Sequence, residues 1–312
     1  MILDPLVQRL VDASSVPPFL HELQPVDARQ VLRESQIHHI GDFEVDATFQ
    51  VVPVGPSALV GFWIFKPTRA SQPIPAMLYI HGGRWMLGDA QTHARLISEL
   101  VTGAGIAAVV PEYSRTPEAR YPVAIEECYA LMTWAVRNAG ELGLDASRLA
   151  VAGDCVGATM ATALTMMAKS RGGPALRAQL LYYPITDAQG DSPSQHQFAT
   201  GYLLTRDALR WYWQQYTDDP RERAEPTASP LHAGPEELAG LPPALVITAE
   251  ADVTRDEGEQ YARQLRRAGV EVTAARFLGT IHDFASLTAL RDSPPTRAAV
   301  RQGGAFLRRL LS

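Results

Sequence analysis

The stretch AVAGDCVGATMA, residues 150–161, decides the fold of this chain. It begins with small and apolar residues typical of a buried strand, continues through Gly153, Cys155 and Gly157, and ends in residues that suit a helix. A strand, a sharp glycine-flanked turn and a helix form the arrangement that presents a nucleophile at the tip of the turn, where a serine is usual. The turn makes Cys155 a candidate nucleophilic thiol. Taken alone, the stretch favours a buried cysteine in an ordinary loop, because free cysteine often serves as a small core residue; the other motifs below favour the nucleophile.

Strand and helix patterns alternate on both sides of this stretch. Apolar strands are predicted at 46–54, 58–67, 76–80, 106–110, 148–153, 178–184, 244–250 and 270–277, and helices near 90–102, 122–139, 254–268 and 295–311, with another after Cys155. Nearly continuous apolar strands between helices predict a mostly parallel sheet with helices on both faces. The first two strands are expected to extend this eight-stranded sheet by antiparallel pairing. The predicted class is α/β.

Composition excludes several classes of protein. With 46% hydrophobic and 20% charged residues, the 312-residue chain can build a large core. A net charge of −6 argues against nucleic-acid binding. The first residues do not form a signal peptide, and every apolar run is far shorter than the roughly 20 residues of a membrane span. Two cysteines, Cys128 and Cys155, form neither a disulfide framework nor a metal-ligand spacing. We expect a cytoplasmic protein with no membrane span, no metal and no cofactor.

Two segments outside the alternating pattern predict a cap. Residues 1–45 contain a helical apolar stripe, and residues 187–240 interrupt the strands with six aromatic residues between Phe198 and Tyr216. Such an apolar segment must cover something: either it adds core packing, or it caps a pocket at the carboxyl ends of the strands. The cap hypothesis divides the chain into N-terminal cap helices (1–45), a core (46–186 and 241–312) and a cap insertion (187–240). The proposed pocket aromatics are Trp85, Tyr202 and Trp211.

An acid and a histidine follow the turn in the order that a nucleophile–acid–base triad requires. Asp252 closes the strand ALVITAEAD, and His282 lies after the next strand, in FLGTIHDF. Glu250, Asp256 and Asp283 are competing acids, although Asp256 opens a helix, where the helix dipole alone favours an acid. Three other histidines are expected to be structural or solvated, and these are His38, His39 and His93.

These motifs resemble those of the bacterial hormone-sensitive-lipase-like esterases, which carry His-Gly-Gly-Gly and Gly-Asp-Ser-Ala-Gly. The resemblance extends from about residue 75 onward, and its motifs here are LYIHGGRWMLGD (78–89), PEYSRTPEARYPVA (111–124), GDCVG (153–157), GYLLT (201–205) and LPPALVITAEADVTRDEGEQYA (241–262). It implies the α/β-hydrolase fold with a helical cap, an ester-hydrolysing activity on a small acyl substrate, and a homodimer.

The resemblance also implies roles for particular residues. Cys155 takes the position of the nucleophile, Asp252 that of the acid and His282 that of the base. The backbone N–H groups assigned to the oxyanion hole are those of Gly82, Gly83, Arg84 and Val156.

The chain departs from the family pattern at several positions around this site. Cys155 replaces the serine, Arg84 replaces the third glycine of the loop, and Val156 replaces an alanine. Asp283 stands in HDF where the family has His-Gly-Phe, and DVT replaces Asp-Pro-Leu. A natural shift in substrate or reaction explains several changes around one pocket, and an engineered replacement of serine is the alternative for Cys155.

Three functions follow from a thiol at this position. A cysteine beside an imidazole can exist as a thiolate–imidazolium pair and form a thioester with an acyl substrate. The first hypothesis is an acyl hydrolase acting on esters or thioesters. The second is an acyltransferase or cyclase that passes the acyl group to another nucleophile. The third is a catalytically silent binding protein, against which the retained acid, histidine and glycines argue.

Overall fold

The sheet at the centre of the fold has eight strands in the computed structural model, which describes residues 1–36 and 43–312. They are β1 (Val45–Val52), β2 (Val60–Pro67), β3 (Ile74–Ile80), β4 (Ala107–Glu112), β5 (Leu144–Asp154), β6 (Ala178–Tyr182), β7 (Ala244–Ala251) and β8 (Val272–Ile281). Their order is β1-β2-β4-β3-β5-β6-β7-β8. β2 runs antiparallel to β1 and β4, and the other neighbours are parallel. The prediction of a mostly parallel sheet, extended at one side by antiparallel pairing of the first two strands, is confirmed.

Helices cover the sheet. They are α1 (Pro5–Ala13), α2 (Pro25–Gln36), α3 (Ala94–Ala104), α4 (Val123–Arg137), α5 (Val156–Arg171), α6 (Pro193–Gln197), α7 (Arg206–Tyr216), α8 (Pro220–Arg223), α9 (Pro235–Leu238), α10 (Arg255–Arg267) and α11 (Pro294–Leu311). α3 packs against α11, and α4 packs against α5. Every residue of β6 is buried. Because side chains alternate between the two faces of a strand, both faces of the sheet are covered there.

The strand ends place the predicted site residues at one edge of the sheet. β5 ends at Asp154, immediately before Cys155, and β7 ends one residue before Asp252. β8 continues four residues beyond its predicted end, because Ala251 pairs with Ile281 after an irregularity in the ladder. His282 therefore follows the strand directly. Parallel strands bring their carboxyl ends to the same edge, where α/β sheets bind ligands.

The N-terminal helices lie against the same edge. α1 begins at Pro5, and the side chain of the preceding Asp4 accepts a hydrogen bond from the N–H of Leu6 at 2.9 Å. In α2, Arg29 donates to the carbonyl of Met86 at 2.8 Å, and Arg33 pairs with Asp89 at 2.7 Å. These contacts tie α2 to the loop after β3.

The predictions for His38 and His39 fall in residues 37–42, outside the described residues, as does that part of the proposed N-terminal segment. In the parts of the chain that the structure covers, no helix combines the length and the apolar character needed to cross a membrane.

Candidate active site

Cys155 occupies a strained turn between β5 and α5. Its φ is +55°, in the left-handed region that costs a non-glycine residue of order 1–3 kcal/mol. A Cβ on Gly157 would lie 2.0 Å from the carbonyl oxygen of Ile80, and one on Gly153 would lie 2.4 Å from the carbonyl carbon of Gly157. Both glycines are therefore required for the close approach of helix and strand. The turn holds the Cys155 side chain, which is fully buried, at the N-terminus of α5.

The predicted hydrogen bond between Asp252 and His282 is present. Asp252 Oδ2 lies 2.8 Å from His282 Nδ1, and Asp252 Oδ1 accepts the N–H of Thr254 at 2.9 Å, which fixes the carboxylate. Burial alone would lower the pKa of His282, but the negative charges of Asp252, Asp283 and Cys155 outweigh it and hold that pKa well above its usual range.

Two of the competing acids, Asp256 and Glu250, have other partners. Asp256 accepts from the Ser194 N–H at 2.8 Å and from the Arg255 side chain at 2.8 Å. Glu250 accepts the N–H of Gly279 at 2.7 Å. Asp252 is the acid that bonds to Nδ1 of His282.

Cys155 and His282 are within reach of each other. Cys155 Sγ, a ring nitrogen of His282 and a carboxylate oxygen of Asp283 all lie within 4.8 Å of one another. His282 Nε2 is buried and has no hydrogen-bond partner among the described residues. With Nδ1 bound to Asp252, Nε2 is the nitrogen left for exchanging a proton with the thiol or with a substrate.

The loop after β3 has the backbone expected of an anion-binding turn. Gly83, Arg84 and Trp85 have φ values of +111°, +58° and +59°. A Cβ on Gly83 would lie 2.2 Å from the carbonyl oxygen of Leu87, so this position requires glycine. Successive left-handed residues next to a nucleophile can turn backbone N–H groups toward a developing negative charge.

Gly82 does not fit the predicted oxyanion hole. Its N–H already donates to Asp154 Oδ1 at 3.0 Å, so that it braces the loop instead. A side chain at this position would also collide with Asp154 Oδ2, at 2.4 Å. The candidate donors that remain are the N–H groups of Gly83, Arg84 and Val156.

Asp154 anchors a buried network that the sequence did not single out. Its Oδ1 accepts from the hydroxyl of Tyr79 at 2.7 Å, and its Oδ2 lies 3.4 Å from His93 Nε2. Burial by itself would raise the pKa of Asp154 and lower that of His93, but their mutual attraction outweighs burial and shifts both in the opposite direction. The network joins β3, the loop after β3 and the turn that carries Cys155. The position of Asp154 directly before Cys155 was the sequence signal that could have identified this network.

Arg84 and Asp283 form a buried ion pair beside His282. Arg84 Nη2 lies 2.6 Å from Asp283 Oδ2, and the two side chains are 8% and 10% exposed. Asp283 Oδ1 lies 3.5 Å from His282 Nε2. The Arg84 guanidinium is also 5.8 Å from the ring centre of Tyr212, a cation–π distance.

A cavity of about 340 Å³ opens above this pair. Arg84 and Asp283 contribute to its lining, together with apolar residues of the N-terminal segment and of the 187–240 segment, among them Leu10, Phe19, Leu32, Leu204 and Tyr212. Cys155 and His282 are not part of this lining, but the Asp283 carboxylate that lines the cavity lies within 4.8 Å of both.

The three predicted pocket aromatics lie outside this lining. Trp85 is buried and stacks on Tyr216 at 4.2 Å between ring centres. Trp211 lies off the buried face of α7, because Leu209, Tyr212 and Tyr216 recur at helical spacing on that face. Tyr202 packs edge-on against Phe198. The lining instead uses the neighbours of two of them, Leu203 and Tyr212.

Among the residues that the structure describes, one group could supply three ligands to a metal ion, and it consists of Cys155, His282 and Asp283. The guanidinium of Arg84 is bound to the Asp283 carboxylate and opposes a second cation there. We assign no metal site.

Comparison with known proteins agrees with this architecture. A family model described as the α/β-hydrolase fold matches residues 77–286. A putative α/β hydrolase of Acanthamoeba polyphaga mimivirus is 35% identical over 295 residues, which cover 95% of this chain and 84% of the relative. An ethyl acetate hydrolase of Pseudomonas putida is 40% identical over 210 residues, 67% of this chain and 65% of the relative.

Solved structures extend the similarity to the whole chain. The crystal structure of a thermostable esterase from Pseudomonas putida superimposes with a TM-score of 0.96 at 41% identity, covering 99% of this chain and 98% of the esterase. The strand order of the sheet and the similarity to these relatives both indicate the α/β-hydrolase fold. The chain belongs to the α/β-hydrolase family that contains the hormone-sensitive-lipase-like esterases, and it is a carboxylesterase-like hydrolase.

Proposed function

We propose that this protein hydrolyses carboxylic esters or thioesters through an acyl-cysteine intermediate on Cys155. His282 acts as base and acid, and Asp252 orients it. The observation that carries the proposal is the bond from His282 Nδ1 to Asp252, which leaves Nε2 free on a ring that lies within 4.8 Å of the thiol group.

Acylation begins with the thiolate of Cys155 and the imidazolium of His282. Sulfur attacks the carbonyl carbon, a C–S bond forms, and the carbonyl electron pair moves to oxygen. The N–H groups of Gly83, Arg84 and Val156 are the proposed donors to that oxyanion, aided by the N-terminus of α5. As the intermediate collapses, the C–O bond breaks and His282 Nε2 gives its proton to the leaving alkoxide.

Deacylation returns the site to its starting state. Neutral His282 takes a proton from water, hydroxide attacks the thioester carbonyl, and the C–S bond breaks as the acid leaves. Cys155 becomes a thiolate again, beside an imidazolium. No cofactor is needed for either step.

The substrate in this proposal is a small ester or thioester with an apolar group. The apolar walls of the 340 Å³ cavity support this choice. Residues 1–45 and 187–240 act as cap segments over a core of 46–186 and 241–312, since both segments contribute to the cavity lining. The homodimer and the cytoplasmic location stay predictions of the sequence.

Ester turnover by matched cysteine variants tests the proposal. Cys155→Ala should abolish turnover of short p-nitrophenyl esters. Cys128→Ala should retain it, because Cys128 is buried in the core and burial raises the pKa of its thiol. Full activity in folded Cys155→Ala would disprove the assignment of the nucleophile.

Acyl transfer is a second candidate for the same intermediate. Complete burial of Cys155 and His282 supports it, since a site that excludes water lets another nucleophile compete for the thioester. Adding an alcohol or amine acceptor to the ester assay separates the two functions. A transferase would form the new ester or amide in preference to the acid, whereas a hydrolase would release mainly the acid.

A further inference from the structure

Two of the family glycines are replaced by residues that contact each other. Arg84 has φ +58° and Asp283 has φ +64°, backbone conformations that favour glycine. Each side chain therefore stands at a position where it is costly, and the two are joined by a buried ion pair at 2.6 Å. Their pairing accounts for both departures together.

The Asp283 carboxylate faces two groups at once. Oδ2 binds Arg84, while Oδ1 lies 3.5 Å from Nε2 of His282. On the other edge of the ring, Nδ1 bonds to Asp252 at 2.8 Å. The imidazole is thus placed between two carboxylates, both of which attract its positive form.

We propose that Asp283, held by Arg84, is a positioning residue that keeps His282 protonated in the free enzyme and so restricts attack on the substrate to a thiolate nucleophile. The inference rests on the proposed function and deepens it. A serine needs a neutral Nε2 to take its proton during attack. A thiolate has already given up its proton, and an imidazolium beside it is then ready to protonate the leaving group.

Other titratable groups face the same site. The hydroxyls of Tyr113, Tyr183 and Tyr212 lie near Cys155, and burial raises the pKa of each, to about 12 for Tyr212. They stay neutral between pH 5 and 9. Asp154 is held by His93 and Tyr79. Cys155 Sγ also lies within 4.8 Å of the Asp283 carboxylate. His282 and Cys155 are therefore the two titratable groups of the site that Asp283 faces directly.

Replacing both residues of the pair together leaves neither charge without its partner. Arg84→Gly/Asp283→Gly deletes one charge of each sign and restores the residue that suits both backbone positions. The backbone N–H at position 84 is retained. A matched control is Glu126→Gln/Arg171→Gln, which removes a partly exposed pair at the far end of α5, roughly 24 Å from Cys155 at 1.5 Å per helical residue.

The experiment combines the pair variant with both nucleophiles. We would measure kcat/KM for a p-nitrophenyl ester from pH 5 to 9, and the NMR titration of His282, for Cys155 and Cys155→Ser proteins with and without the pair. Cys155→Ser alone should be nearly inactive at pH 7, because its hydroxyl lacks a neutral imidazole to take the proton. Adding the glycines should raise its kcat/KM about tenfold or more, because one pKa unit changes the neutral fraction of His282 tenfold.

The cysteine protein should respond in the opposite direction. Removing the pair should lower its alkylation by iodoacetamide at pH 6 about tenfold, and the His282 titration should move to lower pH in both backgrounds. The control pair should change neither profile. If the pair had a purely structural role, its removal would lower the activity of the Cys155 and Cys155→Ser proteins together and would leave the His282 titration unchanged.

Two failures are distinguishable. If wild-type Cys155 turns over ester and the His282 titration does not move when the pair is removed, the inference about Asp283 is wrong. If folded Cys155→Ala keeps full turnover, the proposed nucleophile itself is wrong, whatever the pair does.

Discussion

His282 Nδ1 lies 2.8 Å from Asp252 Oδ2, while Nε2 of the same ring lies 3.5 Å from Asp283 Oδ1. The first contact fixes the ring tautomer and orientation. The second places a negative charge on the edge that should serve the nucleophile. In our proposal, this arrangement favours a thiolate over a serine hydroxyl as the nucleophile.

Breaking the first contact should disable the site without unfolding the protein. Asp252→Asn retains the shape of the side chain but removes the charge that orients and stabilises the imidazolium. We expect kcat to fall on the order of 10³- to 10⁴-fold, as in other triads. Asp256→Asn is the control and should stay within a few-fold of wild type. Equal losses in the two variants would contradict the assignment of the acid.

Asp154 should matter for stability and activity together. Asp154→Ala leaves the buried donors of Tyr79 and Gly82 without an acceptor, at a cost of about 1–3 kcal/mol for each unsatisfied group. Denaturant unfolding should show this loss, and kcat should fall because Gly82 no longer braces the oxyanion loop. Asp154→Asn retains an oxygen acceptor and should lose less of both. An alanine variant as stable and active as wild type would show that the network is dispensable.

A buried acid behind the site should make stability depend on pH. Burial raises the pKa of Glu257 to about 8, although the carboxyl accepts the N–H of Thr186 at 2.7 Å. Because its folded pKa exceeds its unfolded value, Glu257 stabilises the fold fully below about pH 4.5, and this stabilisation is lost as pH rises through about 8. Glu257→Gln should flatten the change in melting temperature between pH 5 and 8. A melting profile that retains the wild-type slope would contradict the raised pKa.

Sequence patterns predicted the sheet well because its strands are continuous apolar runs between helices. The placement of Cys155, Asp252 and His282 at strand ends was also predictable from their chain order, while their catalytic roles stay predictions. The network around Asp154 was missed because it is made by tertiary contacts, and 75 positions separate Tyr79 from Asp154. The pairing of Arg84 with Asp283 was missed for the same reason: 199 positions separate the two residues.

The pocket aromatics were predicted less well because amino-acid type does not say which way a side chain points. Trp211 and Tyr212 are adjacent on α7, yet Tyr212 lies among the cavity residues, and Trp211 does not. The rotation of about 100° per helical residue makes that difference.

The cavity should set the length of acyl chain that the enzyme accepts. Ala208 lines it from α7, so Ala208→Phe should fill part of the space. We expect KM to rise at least tenfold for hexanoate esters and little for acetate esters, since each lost methylene contact is worth about 1 kcal/mol or more. Trp211→Phe, on a residue outside the lining, is the control. An unchanged chain-length preference in Ala208→Phe would place the acyl group elsewhere.

Trapping the acyl-enzyme tests the central claim most directly. Intact-mass spectrometry after rapid mixing with a p-nitrophenyl ester should show one added acyl group, and peptide mapping should place it on Cys155. Hydroxylamine should remove it at neutral pH, as expected of a thioester, and Cys128→Ala should acquire it normally. Turnover with the acyl group on another residue, or with folded Cys155→Ala labelled to the same extent, would contradict the account.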